Sequence, residues 1–486
     1  MFTVHFPHIL RLWMWIEQKL SKRVFDISLM TPAADADLHV SFNGEPGLHS
    51  LWKVLLARRT PHIQVVWVSS QDRQARLLCE SHVAVPESYF FCASLQLCMR
   101  RYETLLSRAQ AHKQHIAGHP AVPFPRLQEA ESQVSAAEVV RFAVCHLGYR
   151  LLRKVSGLFV RREHWAIAAM VIGDEAAAPR SGEAGADALW RRLPGRPDRF
   201  QADPFLWRDQ SGQHHLFFED FPYDEGRGVI SHVRIDASTR RFIGEPQVVL
   251  KRPYHLSYPY VFEYEGNIFM IPETSENRTI EVYRATAFPT GWELHRILLT
   301  DVVAADTTLY QEEGTWWMWT SLARKGEPNY DELSVYYADD PFGPWTPHPM
   351  NPVVSDCRSA RMAGKVFRDK YNRLVRPAQD CEKDYGASLR FCEVTELTRT
   401  TYAEQVMLTW TAPKNYDGVH TWNAAGDLAV VDVKSRLRHL AGRRAPFSRM
   451  EGLKDENRNF MLRATWPGRH GDGDRLCTEG DGATRT

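Results

Sequence analysis

The 486-residue chain has no uninterrupted apolar run near the ~20 residues a membrane span needs, so no crossing helix is expected. It also lacks an excess of either charge: 60 basic residues stand against 59 acidic ones, for a net charge of +1. That balance supplies no field for a polyanion, and nucleic acid is not expected as a partner. Cysteine is sparse. None of the eight cysteines stands in a CxxC pair, which excludes zinc-ribbon and dithiol redox motifs. So low a count in a chain of this length suits a reduced, cytoplasmic setting. No GxGxxG or Walker sequence occurs, and no His/Asp cluster has metal-ligand spacing, so neither cofactor nor metal is expected. What remains is the composition of a globular protein, 44% hydrophobic and 24% charged, long enough for two or three units.

The opening stretch MFTVHFPHILRLWMWIEQKLSKR resembles a signal peptide in outline, but Arg11 interrupts it and no small-residue cleavage site follows. Ile9, Leu12, Trp13, Ile16 and Leu20 share one helical face, with Lys19, Lys22 and Arg23 near its end. Such a face suits a core; it also suits a membrane interface, so peripheral contact stays open. Strands are expected at Leu38–Phe42 and over 62–70, and amphipathic helices over 94–113 and 136–155. Strands alternating with helices make residues 1–170 a smaller α/β domain. Residues 171–190, rich in Ala, Gly and acids, read as a linker, and residues 438–486 as a disordered tail.

Between them, over residues 191–437, five related segments recur. They begin at Asp203 (DPFLWRDQSGQHHLFFED), Tyr258 (YPYVFEYEGNIFMIPET), Asp306 (DTTLYQEEGTWWMWTS), Arg361 (RMAGKVFRDKYNRLVRPAQ) and His420 (HTWNAAGDLAVVD). Each holds two apolar or alternating runs around a turn signal, and third strands follow most of them (GVISHVRID, TIEVYRA, ELSVYYA, SLRFCEV). Four strands per unit of about 50 residues make a propeller blade, so the expected fold is mainly β: a five-bladed β-propeller preceded by the smaller α/β domain. An irregular sandwich with accidental repetition is the alternative. The fifth unit lacks outer strands of its own, and the chain around Leu189–Leu193 is expected to supply a closing strand.

In a propeller the innermost strand of each blade lines the channel, so the segment starts converge on one mouth. They bring together Asp203, the stretch from His255 to Tyr258, Asp306, Arg358 with Arg361, and His420: a polar funnel. Cleaving a glycosidic bond requires a carboxylate to activate water or attack, and a protonated acid for the leaving oxygen. Asp203 and Asp306 provide the first and a partner that tunes it. Glu273 and Glu219, at the ends of second strands, are the candidates for the acid, with Glu273 preferred beside its Pro-containing turn. Arg361, Gln379 and Asp380 suit sugar hydroxyls or an anionic group. Each residue also has a plain structural role open to it: an Asp-Pro turn at Asp203, a turn cap at Asp306, inter-blade ion pairs at Arg361 and Arg376, satisfied core histidines at His255 and His420. Trp316, Trp317, Trp319, Tyr258 and Tyr385 can stack on sugars, but sheet packing needs such rings as well.

The run ADPFLW…HLFFEDF…HLSYPYVFEYEGNIFMIPET…ADTTLY…WWMWTS is continued in order by HPMNPVVSDCRSARMAGKVF, RPAQDCEKDYG and GVHTWN. It resembles the N-terminal propeller domain of plant glucosamine inositolphosphorylceramide transferases, and bacterial proteins carrying that domain. The domain is similar to the five-bladed propellers of glycoside hydrolase families 43 and 32, which use an Asp base, a second Asp and a Glu acid. The resemblance implies Asp203 and Asp306 for the first two; no motif identifies the Glu. Residues 1–170 resemble a degenerate formyltransferase at FNGEPG (42–47) and LLARRTPHIQVV (55–66), but lack the family's HxSLLP segment and catalytic set, so formyl transfer is not implied. The expectation is a carbohydrate-active protein in glycan or glycolipid assembly or processing, with a glycoconjugate as ligand. The alternatives are a non-catalytic glycan or nucleotide-sugar binding module for a partner glycosyltransferase, and a scaffold.

Overall fold

Asn43 and Gly44, with φ of 54° and 84°, are the two-residue turn of a hairpin in which Phe42 faces Glu45. Asn-Gly is the pair such a turn favours, because both positions need positive φ. FNGEPG is therefore a tight turn in this computed structural model, which describes residues 7–21, 38–68, 75–86, 88–112, 121–122, 134–156, 159–172, 190–324, 327–412 and 416–440. The front part runs α1 (His8–Ser21), β1 (Leu38–Phe42), β2 (Glu45–Pro46), α2 (Leu48–Leu56), β3 (His62–Val68), β4 (Ala75–His82), α3 (Phe91–His112), β5 (Ala121–Val122) and α4 (Ala136–Ser156). Its sheet has the order β2-β1-β3-β4-β5, and every neighbouring pair is antiparallel. The helix–strand alternation therefore builds no parallel βαβ units here. Leu51, Ile63, Phe91, Leu95 and Phe142 fill its core.

Helix α1 buries Leu10, Trp13, Met14 and Glu17, while Leu12 and Leu20 of the expected apolar face are exposed. The face is rotated because Glu17 has a partner: its carboxylate accepts the amides of Phe91 and Cys92 at 2.9 and 2.8 Å, capping α3. No helix among the described residues is long and apolar enough to cross a membrane.

The rest is mainly β, in sheets of four antiparallel strands. β6 (Phe159–Val171) and β7 (Arg191–Arg192) come first in the chain. The first sheet is β8 (Arg199–Arg208), β9 (His214–Pro222), β10 (Val229–Asp236) and β11 (Arg241–Leu250); the second is β12 (Ser257–Tyr264), β13 (Asn267–Thr274), β14 (Thr279–Ala287) and β15 (Gly291–Thr300). The third is β16 (Val303–Glu312), β17 (Thr315–Ala323), β18 (Leu333–Ala338) and β19 (Thr346–Pro347); the fourth is β20 (Phe367–Arg368), β21 (Leu374–Asp380), β22 (Ser388–Leu397) and β23 (Tyr402–Thr411). β24 (Trp422–Ala425) and β25 (Leu428–Leu440) then join β6 and β7 in the order β24-β25-β6-β7.

The expected front unit of residues 1–170 thus gives up its last strand. β25 pairs with β6 along its whole length, from Leu428 opposite Val171 to Leu440 opposite Phe159. The stretch ahead of Asp203 adds β7 as the outermost strand only. Strand β25 also runs past the expected end of the repeats at residue 437; residues 441–486 of the expected tail, and 173–189 of the expected linker, lie outside the described residues.

Apolar contacts link the sheets into a closed circuit. Phe205, Tyr260, Trp319 and Leu374 share one cluster across the first four sheets. Val375 and Phe391 join the fourth sheet to Ala168 and Val431 of the fifth. Ile167 and Val430 then return to Leu206 and Phe218 of the first. Dispersion and burial, summed over many small contacts, hold such a circuit together without covalent closure. The front part docks on its rim: His82 and Asp356 form a parallel bridge, and Ser355 Oγ donates to Ser81 Oγ at 2.9 Å.

Candidate functional site

Three innermost strands break register at the same place: between Ala202 and Phe205, between Ser257 and Tyr260, and between Ala305 and Thr308. Within these bulges Asp203, Tyr258 and Asp306 adopt φ of 49°, 45° and 55°. Left-handed backbone is unfavourable for residues with a side chain, and its repetition in three sheets marks a construction. The bulge releases each residue from the ladder, and Asp203 and Asp306 reach side chains of neighbouring sheets.

Arg361 lies under Asp306. It holds Asp306 through Nε and, at 3.2 Å, through Nη2, which also reaches Glu273 at 3.3 Å. Its Nη1 donates to Asn329 at 3.0 Å, and its guanidinium faces the half-buried Tyr385 ring at 5.1 Å. Gln379 donates one amide to Asp306 at 2.8 Å and to Met362 O at 2.8 Å. Burial pushes the Asp306 carboxyl up to about 7 against the pull of Arg361, with Glu273 adding to the rise. Glu273 is held further by Ser275, whose hydroxyl donates at 2.6 Å.

Asp203 is tied to the fifth sheet. Thr421 Oγ1 donates to it at 2.7 Å, and Tyr258 N donates at 3.3 Å. His420 stands between two carboxylates, Nδ1 2.5 Å from Asp432 and Nε2 3.5 Å from Asp203, with its ring stacked on Trp165 at 4.0 Å. Burial alone would lower the imidazole; Asp432 and then Asp203 outweigh it, and the net shift is upward. For Asp203, burial raises the carboxyl to about 6, opposed by His420 and assisted by Asp306 and Asp432. Asp203, His420 and Asp432 each place a possible ligand atom within 4.8 Å of the others, a grouping that could hold a metal and that sequence spacing conceals. A raised imidazole favours the protonated ring, which makes this an ion triad as it stands.

Glu219 forms the other side. Its Oε1 lies 3.4 Å from His255 Nε2, and His255 Nδ1 accepts the Gly228 amide at 3.0 Å. Gly228 is required here, because a Cβ would lie 2.5 Å from Leu256 O and 2.9 Å from Glu219 Oε1. Burial, and then the charges of Asp203 and Glu273, push Glu219 well above the carboxylate range. Burial lowers His255 to about 4.

A family model, described as the N-terminal region of glucosamine inositolphosphorylceramide transferase 1, matches residues 190–437, just over half of the chain. The chain belongs to this family. Glucosamine inositolphosphorylceramide transferase 1 of Oryza sativa subsp. japonica is 37% identical over 215 residues, which are 43% of this chain and 28% of that protein. The Arabidopsis thaliana protein of the same name is 33% identical over 234 residues, 47% of this chain and 30% of that one. The match therefore spans less than a third of these relatives. Among solved structures, a thermostable family-43 glycoside hydrolase superposes with a TM-score of 0.35 at 14% identity, over 46% of this chain and 83% of that one. The catalytic domain of the Coprinopsis cinerea GH62 α-L-arabinofuranosidase gives 0.37 at 11%, over 55% and 97%. Neither superposition is close enough to decide chemistry.

The family span holds every carboxylate of the site but omits β6, which supplies Trp165, and the front part, whose expected formyltransferase likeness gains nothing from the match. Within the span several candidate residues are engaged elsewhere. Tyr258 is fully buried: its ring meets Phe205 edge-on at 4.7 Å, and its hydroxyl donates to Gly364 O at 3.1 Å while accepting the Gly364 amide at 2.9 Å. Asp380 is held by Arg390 at 3.0 Å, and Arg376 grips Glu404. Arg358 pairs with Asp356 and bonds His82 at the rim. Trp316, Trp317 and Trp319 are core. Asp432 and Asn329 were not legible as site residues. The DLAVVD ending of the last segment was the only signal for Asp432, and nothing in the sequence pointed to Asn329.

Proposed function

We propose that the closed circuit of sheets is a five-bladed propeller and that its central pore is a carbohydrate site, acting in glycan or glycolipid assembly or processing. The observation that carries this reading is the gathering of Asp203, Asp306, Glu273 and Glu219 around Arg361 and His420, on bulges repeated from sheet to sheet. Asp203 is the general base, with Asp306 tuning it through space. Glu219 suits the acid better than Glu273. Burial and neighbouring carboxylates push it well above the ordinary carboxylate value, the direction a general acid requires, whereas Glu273 is bound by Arg361 and Ser275. The leaving oxygen takes the Glu219 proton as Asp203 draws one from water or an acceptor hydroxyl. Tyr385 offers a half-buried ring to a sugar face. The relatives' name makes inositol-phosphate glycolipid headgroups the first ligands to try.

A second reading, a binding module serving a glycosyltransferase, draws on one feature: both Asp306 oxygens are already taken by Arg361 and Gln379. A thermal-shift screen against oligosaccharides, glycolipid headgroups and nucleotide sugars, followed by a turnover assay, separates the two. The enzyme reading expects Glu219→Gln to keep binding and lose turnover at least about 100-fold. Binding without turnover, weakened by Asp203→Asn, supports the module. No stabilisation by any ligand overturns both.

A further inference from the structure

We infer that the outer face of α4, with α1 beside it, is a docking surface for the anionic headgroups of a lipid bilayer; this stands apart from the pore reading. Helix α4 opens on a capping box, in which Glu138 accepts the Ser135 amide at 2.8 Å and Ser135 Oγ accepts the Glu138 amide at 3.3 Å. Its inner face buries Val139, Phe142 and His146, and the Trp13 ring of α1 meets Phe142 and His146 edge-on at 6.1 and 5.2 Å. The opposite face is apolar and bare. Val140, Val144, Leu147 and Leu151 follow the i, i+4, i+7, i+11 rhythm of a single stripe, and each is at least 50% exposed. Helix α1 repeats the pattern with Leu12 and Trp15, 56% and 59% exposed.

Charge selects the occupant. At about 100° per residue, Arg141 and Arg150 fall on opposite flanks of the α4 stripe, and Lys19 falls between Leu12 and Trp15 on α1. Each helix carries one acid: Glu138 of α4 is held by Ser135 at the helix start and feels Lys53 and Arg141, leaving Arg150 clear of it on the other flank, and Glu17 of α1 is buried under α3. An apolar stripe edged by cations, with an indole at its margin, is the composition of a helix lying in a bilayer interface. A second copy of the chain fits less well, because a two-fold contact would set these arginines against each other without an acid between them. Neither helix can cross the bilayer, so the chain would lie on it.

The test is co-sedimentation of the full chain with vesicles of phosphatidylcholine alone or mixed with phosphatidylserine. Binding to the mixed vesicles is expected, weakening with salt. Leu147→Glu combined with Leu151→Glu should abolish it, and Arg141→Gln and Arg150→Gln should each weaken it about fivefold. Absence of binding, or binding that ignores the leucine pair while the variant's unfolding midpoint matches the parent's, overturns the proposal. So does a dimer in sedimentation velocity that the leucine pair dissociates, since the face would then belong to a second copy.

Discussion

The carboxylate of Asp432 accepts the backbone amide of Asp203 at 2.9 Å, across 229 positions of sequence. The same carboxylate accepts the amides of His420 and Thr421 at 3.0 and 2.9 Å and contacts His420 Nδ1. One buried acid therefore joins the last sheet to the first and sets the bulge that carries Asp203. Asp432→Ala would leave His420 charged and half-paired in the interior. The expected loss is about 3–5 kcal/mol of stability, read from urea unfolding; a loss below about 1 kcal/mol would refute the role.

The pH dependence follows from the same triad. Asp203 moves from 3.8 to about 6 on folding, so its stabilising contribution is fully present below 3.8 and is lost as pH rises through about 6. His420 is raised above 6.5, so its contribution is present below 6.5 and fades as pH climbs past its folded value. Both act in one direction. Between about pH 4 and pH 7 the protein should lose on the order of 3 kcal/mol more than Asp203→Asn does, measured as unfolding midpoints against pH.

Gly364 has φ of 143°, and a Cβ there would lie 1.9 Å from Trp422 O. It also exchanges two hydrogen bonds with the Tyr258 hydroxyl. Gly364→Ala should cost more than about 2 kcal/mol, because both the backbone and the neighbouring strand resist the methyl. Differential scanning calorimetry tests this; an unchanged transition would mean that the contact relaxes freely.

Arg101 of α3 is buried against Glu327, Asp331 and Glu332 of the third sheet's long loop. That loop carries Asn329, which holds Arg361 at 3.0 Å. Arg101→Met should destabilise the protein by about 3–5 kcal/mol, raise hydrogen exchange over residues 327–332, and weaken any pore ligand. Exchange unchanged in that loop would separate the front part from the site.

Much of the fold was legible because its causes are local. Apolar alternation, a Gly- or Asn-containing turn and a second apolar run recur in each segment, since each strand pair must bury side chains on a sheet stacked between two others. The starts of those segments, Asp203 and Asp306, lie where the bulges put them. The helices α3 and α4 and the strands β1 and β3 follow their periodicities closely. The α1 face did not, because its rotation depends on Glu17 meeting amides from a distant helix.

By itself, then, the sequence determined the repeated strand pairs, the near-neutral charge and the polar character of the strand starts, all properties of residues close together in the chain. Tertiary structure alone decided which strand completes the last sheet, since β6 and β25 pair across more than 250 positions of sequence, from Val171 opposite Leu428 to Phe159 opposite Leu440. It also decided how the two second-strand acids are held: Glu273 meets Arg361 and Ser275, whereas Glu219 faces His255 and is raised by burial and by the charges of Asp203 and Glu273. Those are through-space effects of desolvation and charge, which no local pattern encodes.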